Sequence, residues 1–172
     1  MPRTEGVEPE VVDEIDDVDR AHLRRAIALA AETGEAGNRP FGAVAVGADG
    51  TVISEGANSV ATSGDVTEHA ELDAITTACA EGNGSRLDGA TVYASGEPCP
   101  MCSAAMVWAG VSRVVFGAAA AQYAGLLGGG PHFALSCADV VGSAHDGTGV
   151  SGPHLSDEAL VPFLRFAASG LP

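Results

Sequence analysis

No lysine occurs in this chain. Its positive charge rests on eight arginines, scattered from Arg3 to Arg165, against 23 aspartates and glutamates, which leaves a formal charge of -15 over 172 residues. Proteins that bind nucleic acid concentrate Lys and Arg on one face to displace phosphate counterions, so this balance argues against a nucleic-acid partner. Aromatic residues are few, with five Phe, two Tyr and one Trp. The core must therefore be built from Ala, Val, Leu and Ile, which suits a sheet flanked by helices. No run of about 18 apolar residues is present to span a bilayer. The opening residues from Met1 to Asp19 are acidic and lack the apolar stretch of a signal peptide. A cytoplasmic protein with no membrane partner is expected. Of only four cysteines, Cys79 and Cys137 stand far apart. They are read as buried free thiols of a reducing compartment, with a disulfide between them left open.

The length suits one domain. Residues 1–12 carry Glu5, Glu8 and Glu10 with two prolines and no apolar period, and read as a disordered acidic tail. Residues 13–172 then form a single domain. From Asp13 to about Thr33, apolar residues recur near helical spacing behind an acidic first turn, so a helix is expected there. His22 on it is read as solvent-facing or capping. Two apolar runs around Asp49-Gly50 read as a hairpin. Ala61 to Val66 reads as a polar loop, followed by a helix from near Glu68 that turns Ala70, Leu72, Ala74, Ile75, Ala78 and Cys79 inward. A strand over Ala90–Ser95, a helix over Met101–Ala109 and a strand over Ser112–Gly117 come next. This alternation implies neighbouring parallel strands joined to the opening antiparallel pair. Ala138 to Ser151 reads as an irregular edge strand and loop. Ser156 reads as the N-cap of a last helix that Pro162 kinks or splits.

The chemistry concentrates between Thr67 and Trp108. His69 and Glu71 stand in the first turn of one expected helix, and Pro98-Cys99-Pro100-Met101-Cys102 opens the next. One imidazole and two thiolates suit zinc, with a fourth tetrahedral position left for water. The Glu71 carboxylate, two residues from that histidine, can carry protons between the water and a substrate. H-x-E followed by P-C-x-x-C, in this order, is the pattern of zinc-dependent nucleobase deaminases. A closed zinc knuckle is the competing reading, and no further Cys or His stands at ligand spacing to complete one.

With these residues in view, the chain resembles the cytidine deaminase-like superfamily, in particular the branch with bacterial guanine deaminases and tRNA adenosine deaminases. The likeness runs from about Arg20 to Phe116. Pro40-Phe41-Gly42-Ala43, the Glu55-Gly56-Ala57-Asn58 stretch and Val114-Val115-Phe116-Gly117 carry it beside the two motifs. The resemblance implies an α/β fold, a three-layer α/β/α sandwich on a mixed five-stranded sheet, with bound Zn2+ and a homodimer. It implies His69, Cys99 and Cys102 as metal ligands and Glu71 as the catalytic acid and base. Asn58, Phe41, Ala70 and Trp108 are the implied substrate contacts, with Asn58 at the family's spacing for an asparagine that bonds the ring. Glu97 is implied as an orienting group.

The implied reaction is hydrolysis of the exocyclic amino group of a small nucleobase or aminated heterocycle, a guanine-like purine favoured, with release of ammonia. Two departures bear on the substrate. Ala118 to Tyr123 lacks the aspartate that guanine deaminases carry there, and only Phe163 or Phe166 can supply a C-terminal aromatic to close the pocket. A cytosine analogue, an aminotriazine or a nucleoside thus stays open. A tRNA adenosine deaminase would carry basic residues on its last helix, where this chain has the single Arg165. The last alternative is a non-catalytic zinc-stabilised binding module, which the intact Glu71 argues against. His132, His145 and His154 are read as polar loop surface.

Overall fold

The structure, a computed structural model, describes residues 14–144 and 147–171; the expected acidic tail and His145 lie outside them. Helix α1 (Asp17–Glu35) starts on a reciprocal cap. The Asp16 carboxylate accepts from the Asp19 N–H at 2.8 Å, and the Asp19 carboxylate accepts from the Asp16 N–H at 3.3 Å. Such a cap satisfies donors that the first turn leaves open. Leu23, Ala26 and Ala30 then bury one face of the helix. Half-buried His22 does not face solvent freely but leans on the Tyr93 ring, 5.1 Å between centroids.

Strands β1 (Gly42–Val46) and β2 (Val52–Ala57) form the expected antiparallel hairpin. Asp49 accepts from both the N–H and the hydroxyl of Thr51 at the turn, and Gly50 adopts φ +80°, a conformation that favours glycine. Strand β3 (Thr91–Gly96) pairs antiparallel with β1; β4 (Arg113–Ala118) runs parallel to β3, and β5 (Gly149–Ser151) parallel to β4. The order is β2-β1-β3-β4-β5, a mixed five-stranded sheet as expected.

Alternation along the strands divides the core. Val44, Val46, Tyr93 and Val115 meet α1 on one face. Ala45, Val92 and Val114 face the other way, toward Ala78 of α3 (Ala70–Ala80), Met106 of α4 (Pro100–Trp108), and Cys137 and Val141 of α6 (Cys137–Ala144). Helix α7 (Ser156–Ser169) lies beside α1, with Phe163 and Ala159 against Ala118. Single helical turns α2 (Val60–Ser63) and α5 (Ala120–Tyr123) complete a three-layer sandwich.

Two glycines set how closely the helices approach. A Cβ on Gly42 would fall 2.4 Å from the Ala26 carbonyl oxygen of α1, and one on Gly56 would fall 2.1 Å from the Ala70 carbonyl oxygen and 2.4 Å from the Ala74 nitrogen of α3. Both obstacles are backbone and cannot swing aside. Around Gly56 the Asp73 carboxylate accepts from the Ala57 N–H at 2.9 Å, and the Ser54 hydroxyl donates to the Ala74 carbonyl at 2.7 Å. Helix α3 is thereby fastened to β2.

Several local expectations are corrected. Among the described residues of the stretch Ala138 to Ser151, the edge strand expected there forms only at β5, and residues 137–144 are a helix: Asp139-Val140-Val141 has strand-like composition, but Ser136 and Asp139 cap each other reciprocally and Cys137 and Val141 share the buried face. Ser156 is the first helical residue rather than the cap; Leu155 precedes it at φ +52°, and the Ser156 hydroxyl donates to the Gly117 carbonyl. Pro162 is buried inside α7 and does not split it. Residues 60–63 form a helical turn where loop was expected. Cys79 is exposed rather than inward, and both it and buried Cys137 are free thiols. Among the described residues no helix is long and apolar enough to cross a membrane.

Asp19, 7% exposed, joins α1 to the sheet. It accepts from Tyr93 Oη at 2.6 Å and from Arg113 Nη1 and Nη2 at 2.7 and 3.0 Å. Burial pushes its pKa up, but the hydrogen bonds from Arg113 and Tyr93 outweigh it and hold the carboxyl below its ordinary 3.8. A depressed folded pKa gives stability that is complete above the unfolded value and lost as pH falls through the folded one. Asp19→Ala should therefore lose about 2–4 kcal/mol near neutrality in urea titrations, and Asp19→Asn should flatten the stability decline below about pH 4. Gly56→Ala should cost about 1–3 kcal/mol by the same assay, because α3 must move off the sheet.

Candidate metal and catalytic site

Two helices begin at the same place. His69 is the N-cap of α3 and Cys99 the N-cap of α4, with Pro100 in the first turn, the position helices tolerate best for proline. Cys102 lies three residues into that turn. His69 Nδ1 stands 3.5 Å from Cys99 Sγ and 3.6 Å from Cys102 Sγ, and the three donor atoms lie within 4.8 Å of one another. In a tetrahedral zinc site, with Zn–N of about 2.05 Å and Zn–S of about 2.3 Å, nitrogen and sulfur ligands stand about 3.6 Å apart. The donor set thus fits that ion in chemistry and spacing.

Protons are shared among these groups in a way a divalent cation would relieve. A hydrogen bond from the Cys102 thiol, opposed by burial and helped by His69, brings Cys99 down to about 4. The helix N-terminus adds its positive end to the same sulfur. The Cys102 thiol is pushed up, first by its hydrogen bond with Cys99 and then by burial. His69 is raised, chiefly by its hydrogen bond with Cys99. Glu71, only 4% exposed, is raised by burial. It lies in the first turn of α3 and interacts directly with the Cys102 thiol.

Behind this set the walls are aromatic. Phe41 meets Tyr123 and Phe163 edge-on, at 5.2 and 5.1 Å between centroids, and Tyr123 stacks on Phe163 at 4.9 Å. Phe41 and Tyr123 crowd over Gly96, where a Cβ would come within 2.9 and 3.1 Å of their ring carbons. Tyr123 is near enough to Glu71, Glu97 and both sulfurs for their charges, after burial, to raise its pKa. Sequence reasoning missed Tyr123, because the segment that carries it has no periodic pattern. Of the two C-terminal aromatics, Phe163 stands in this cluster, while Phe166 belongs to the same apolar core without joining the ring contacts.

Asn58 is 4% exposed, and its N–H donates to the Phe41 carbonyl at 3.1 Å, which ties the two together. Ala70 is fully buried between His69 and Glu71. Trp108 stands apart: it is 89% exposed at the far end of α4, so within one chain it lines no pocket beside the donors. Glu97 does not touch the ligands through its carboxylate. Its two oxygens accept from the Ala120 N–H at 2.9 Å and the Cys137 N–H at 3.1 Å, and its carbonyl accepts from Tyr123 Oη at 2.8 Å. What it orients is the segment over the site. His132 is exposed as expected, whereas His154 is half-buried, with Nε2 2.7 Å from the Ser151 hydroxyl.

Residues 16–118 match the model of the cytidine and deoxycytidylate deaminase zinc-binding region. A probable cytosine deaminase of Schizosaccharomyces pombe is 34% identical over 160 residues, covering 91% of this chain and 97% of that protein. The guanine deaminase of Bacillus subtilis is 48% identical over 97 residues, covering 56% of this chain and 62% of that protein. The chain is also similar to the solved structure of a guanine deaminase from Nitrosomonas europaea, with a TM-score of 0.76 and 24% identity over 94% of this chain and 89% of that one. That last likeness bears on the fold alone. The purified protein should carry about one zinc per chain. His69→Ala, Cys99→Ser and Cys102→Ser should each lose it by elemental analysis and lower the melting temperature, whereas Glu71→Gln should keep it.

Proposed function

The chain belongs to the cytidine and deoxycytidylate deaminase zinc-binding family and is a zinc-dependent deaminase; on that premise we propose that it acts on a small free nucleobase, a guanine-like purine first. The observation that carries this reading is the buried Glu71 carboxylate beside the His69, Cys99 and Cys102 donors, with a flat aromatic wall behind them. A zinc ion held there would lower the pKa of a water toward about 7 and so supply a nucleophile at neutral pH.

The remaining work falls to the chain's own residues. Glu71 takes a proton from the attacking water and gives one to the ring nitrogen. It then takes the remaining proton from the newly added hydroxyl and delivers it to the departing amine as the carbonyl forms. Water is consumed, ammonia leaves and a carbonyl remains. Burial suits the task, because a carboxyl whose pKa is raised toward the working pH both accepts and returns protons. Asn58, held on Phe41, pins the ring by its side-chain amide, and Phe41 covers one face.

Free bases are favoured over RNA by charge. The chain has no lysine, and Arg24, Arg25, Arg86 and Arg113 are each spent on carboxylates. A cytosine-type base is the second reading, supported by the likeness that spans 97% of the S. pombe protein. The working form is a cytoplasmic homodimer without nucleic-acid partners. Met101 and Trp108, 38% and 89% exposed and seven residues apart on α4, support self-association by leaving an apolar stripe there. Residues 13–172 act as one unit, since a single sheet collects all the described strands.

Ammonia release from a panel of bases tests the reading. Zinc-loaded protein should turn over guanine or cytosine, and Glu71→Gln should lower kcat about 10²- to 10⁴-fold while retaining metal. Failure to deaminate any base, or binding of tRNA at low salt, would overturn it.

A further inference from the structure

Arg39, two residues before Phe41, is a cation that no carboxylate among the described residues neutralises. Arg24, Arg25, Arg86 and Arg113 each pair with at least one carboxylate at 2.7–3.3 Å. Arg39 has no carboxylate at ion-pair distance among the described residues, in a protein of net charge -15. The guanidinium's only hydrogen bond among the described residues runs from Nη2 to the Gly129 carbonyl at 3.3 Å. A guanidinium carries five N–H donors in a fixed fork, so most of its capacity is unspent.

The backbone that carries this fork is held on both sides. Asn38 is 5% exposed and exchanges hydrogen bonds with Thr62, at 3.2 Å from its amide and 3.1 Å from the Thr62 N–H. Pro40 is fully buried. The Arg39 carbonyl accepts from the Phe41 N–H at 2.8 Å, and the Phe41 carbonyl from the Asn58 N–H at 3.1 Å. The Arg39 backbone is thus tied to the two residues assigned above to the substrate ring, and its guanidinium reaches from there to the segment between Tyr123 and Cys137.

Beyond the Asn58 amide, the carboxylates that could accept hydrogen bonds on this side are absent or engaged. Ala118 to Tyr123 contains no acid. Both Glu97 oxygens are taken by Ala120 and Cys137, and the Tyr123 hydroxyl donates to the Glu97 carbonyl. Away from Glu71, the charged group left to meet a substrate edge is a donor without acceptor capacity. We infer that Arg39 is a specificity-determining residue that selects aminated heterocycles carrying a ring carbonyl, whose oxygen replaces the Gly129 carbonyl as the acceptor of the fork's N–H groups.

The inference rests on the proposed deamination, and matched probes separate the two. Guanine and 2-aminopurine differ by one ring carbonyl, as do cytosine and 4-aminopyrimidine. Binding is measured by calorimetry on zinc-loaded protein in the Glu71→Gln background, with and without Arg39→Gln, and KM and kcat are measured in the active protein. Arg39→Gln should weaken guanine or cytosine about 10- to 100-fold in Kd and KM, with kcat within about threefold. The partner lacking the carbonyl should change less than about threefold, and Arg39→Lys, which keeps the charge but not the fork, should fall between. Equal losses for both members of a pair, no loss for either, or a fall in kcat alone would overturn the role of Arg39, whatever the turnover. Carbonyl-dependent binding without ammonia release would instead overturn the deamination and leave Arg39 standing.

Discussion

Helix α3 lies so close on β2 that a single methyl group would not fit between them. The contact at Gly56, with Asp73 and Ser54 fastening backbone to backbone on either side, fixes where α3 begins, and that beginning is where His69 and Glu71 stand. The parallel step from β3 to β4 brings the start of α4 to the same edge, with Cys99 and Cys102 in its first turn. Three donors and one acid from two remote stretches then share a space a few ångströms across, with no loop asked to hold them.

Electrostatics follow from that convergence. Two helix N-termini point their positive ends at two sulfurs and a carboxylate, groups that burial alone would keep protonated. Cys99 gives up its proton readily while Cys102 and Glu71 hold theirs. A divalent cation held there would resolve the conflict by taking both sulfurs as anions, and would leave the Glu71 carboxylate uncoordinated beside it. The same carboxylate without that neighbour would be a buried acid with nothing to do.

The surroundings of the site are set by Glu97. It stands two residues before the first cysteine, yet its carboxylate faces away from the ligands to gather the N-termini of α5 and α6. Everything between Ala120 and Cys137 is therefore anchored at both ends on one side chain. Tyr123 is delivered against Phe163 and Phe41 by this arrangement, and Arg39 reaches the segment's middle at Gly129.

The donor cluster and most of the sheet were legible in the chain itself. The H-x-E and P-C-x-x-C motifs sit at helix starts, the hairpin announces itself at Asp49-Gly50, and both kinds of signal depend on neighbours a few residues apart. Even the helix over 137–144 was written locally, in the reciprocal cap of Ser136 and Asp139, though its paired valines mimic a strand. Tertiary structure alone decided the rest. The stacking of Tyr123 on Phe163, the turning of Glu97 toward Ala120 and Cys137, and the exposure of Trp108 and Cys79 join or separate residues that no sequence period relates. Packing across the sheet decides which of several chemically equal aromatics and acids comes to face the donors, and that choice lies in distances the linear order does not contain.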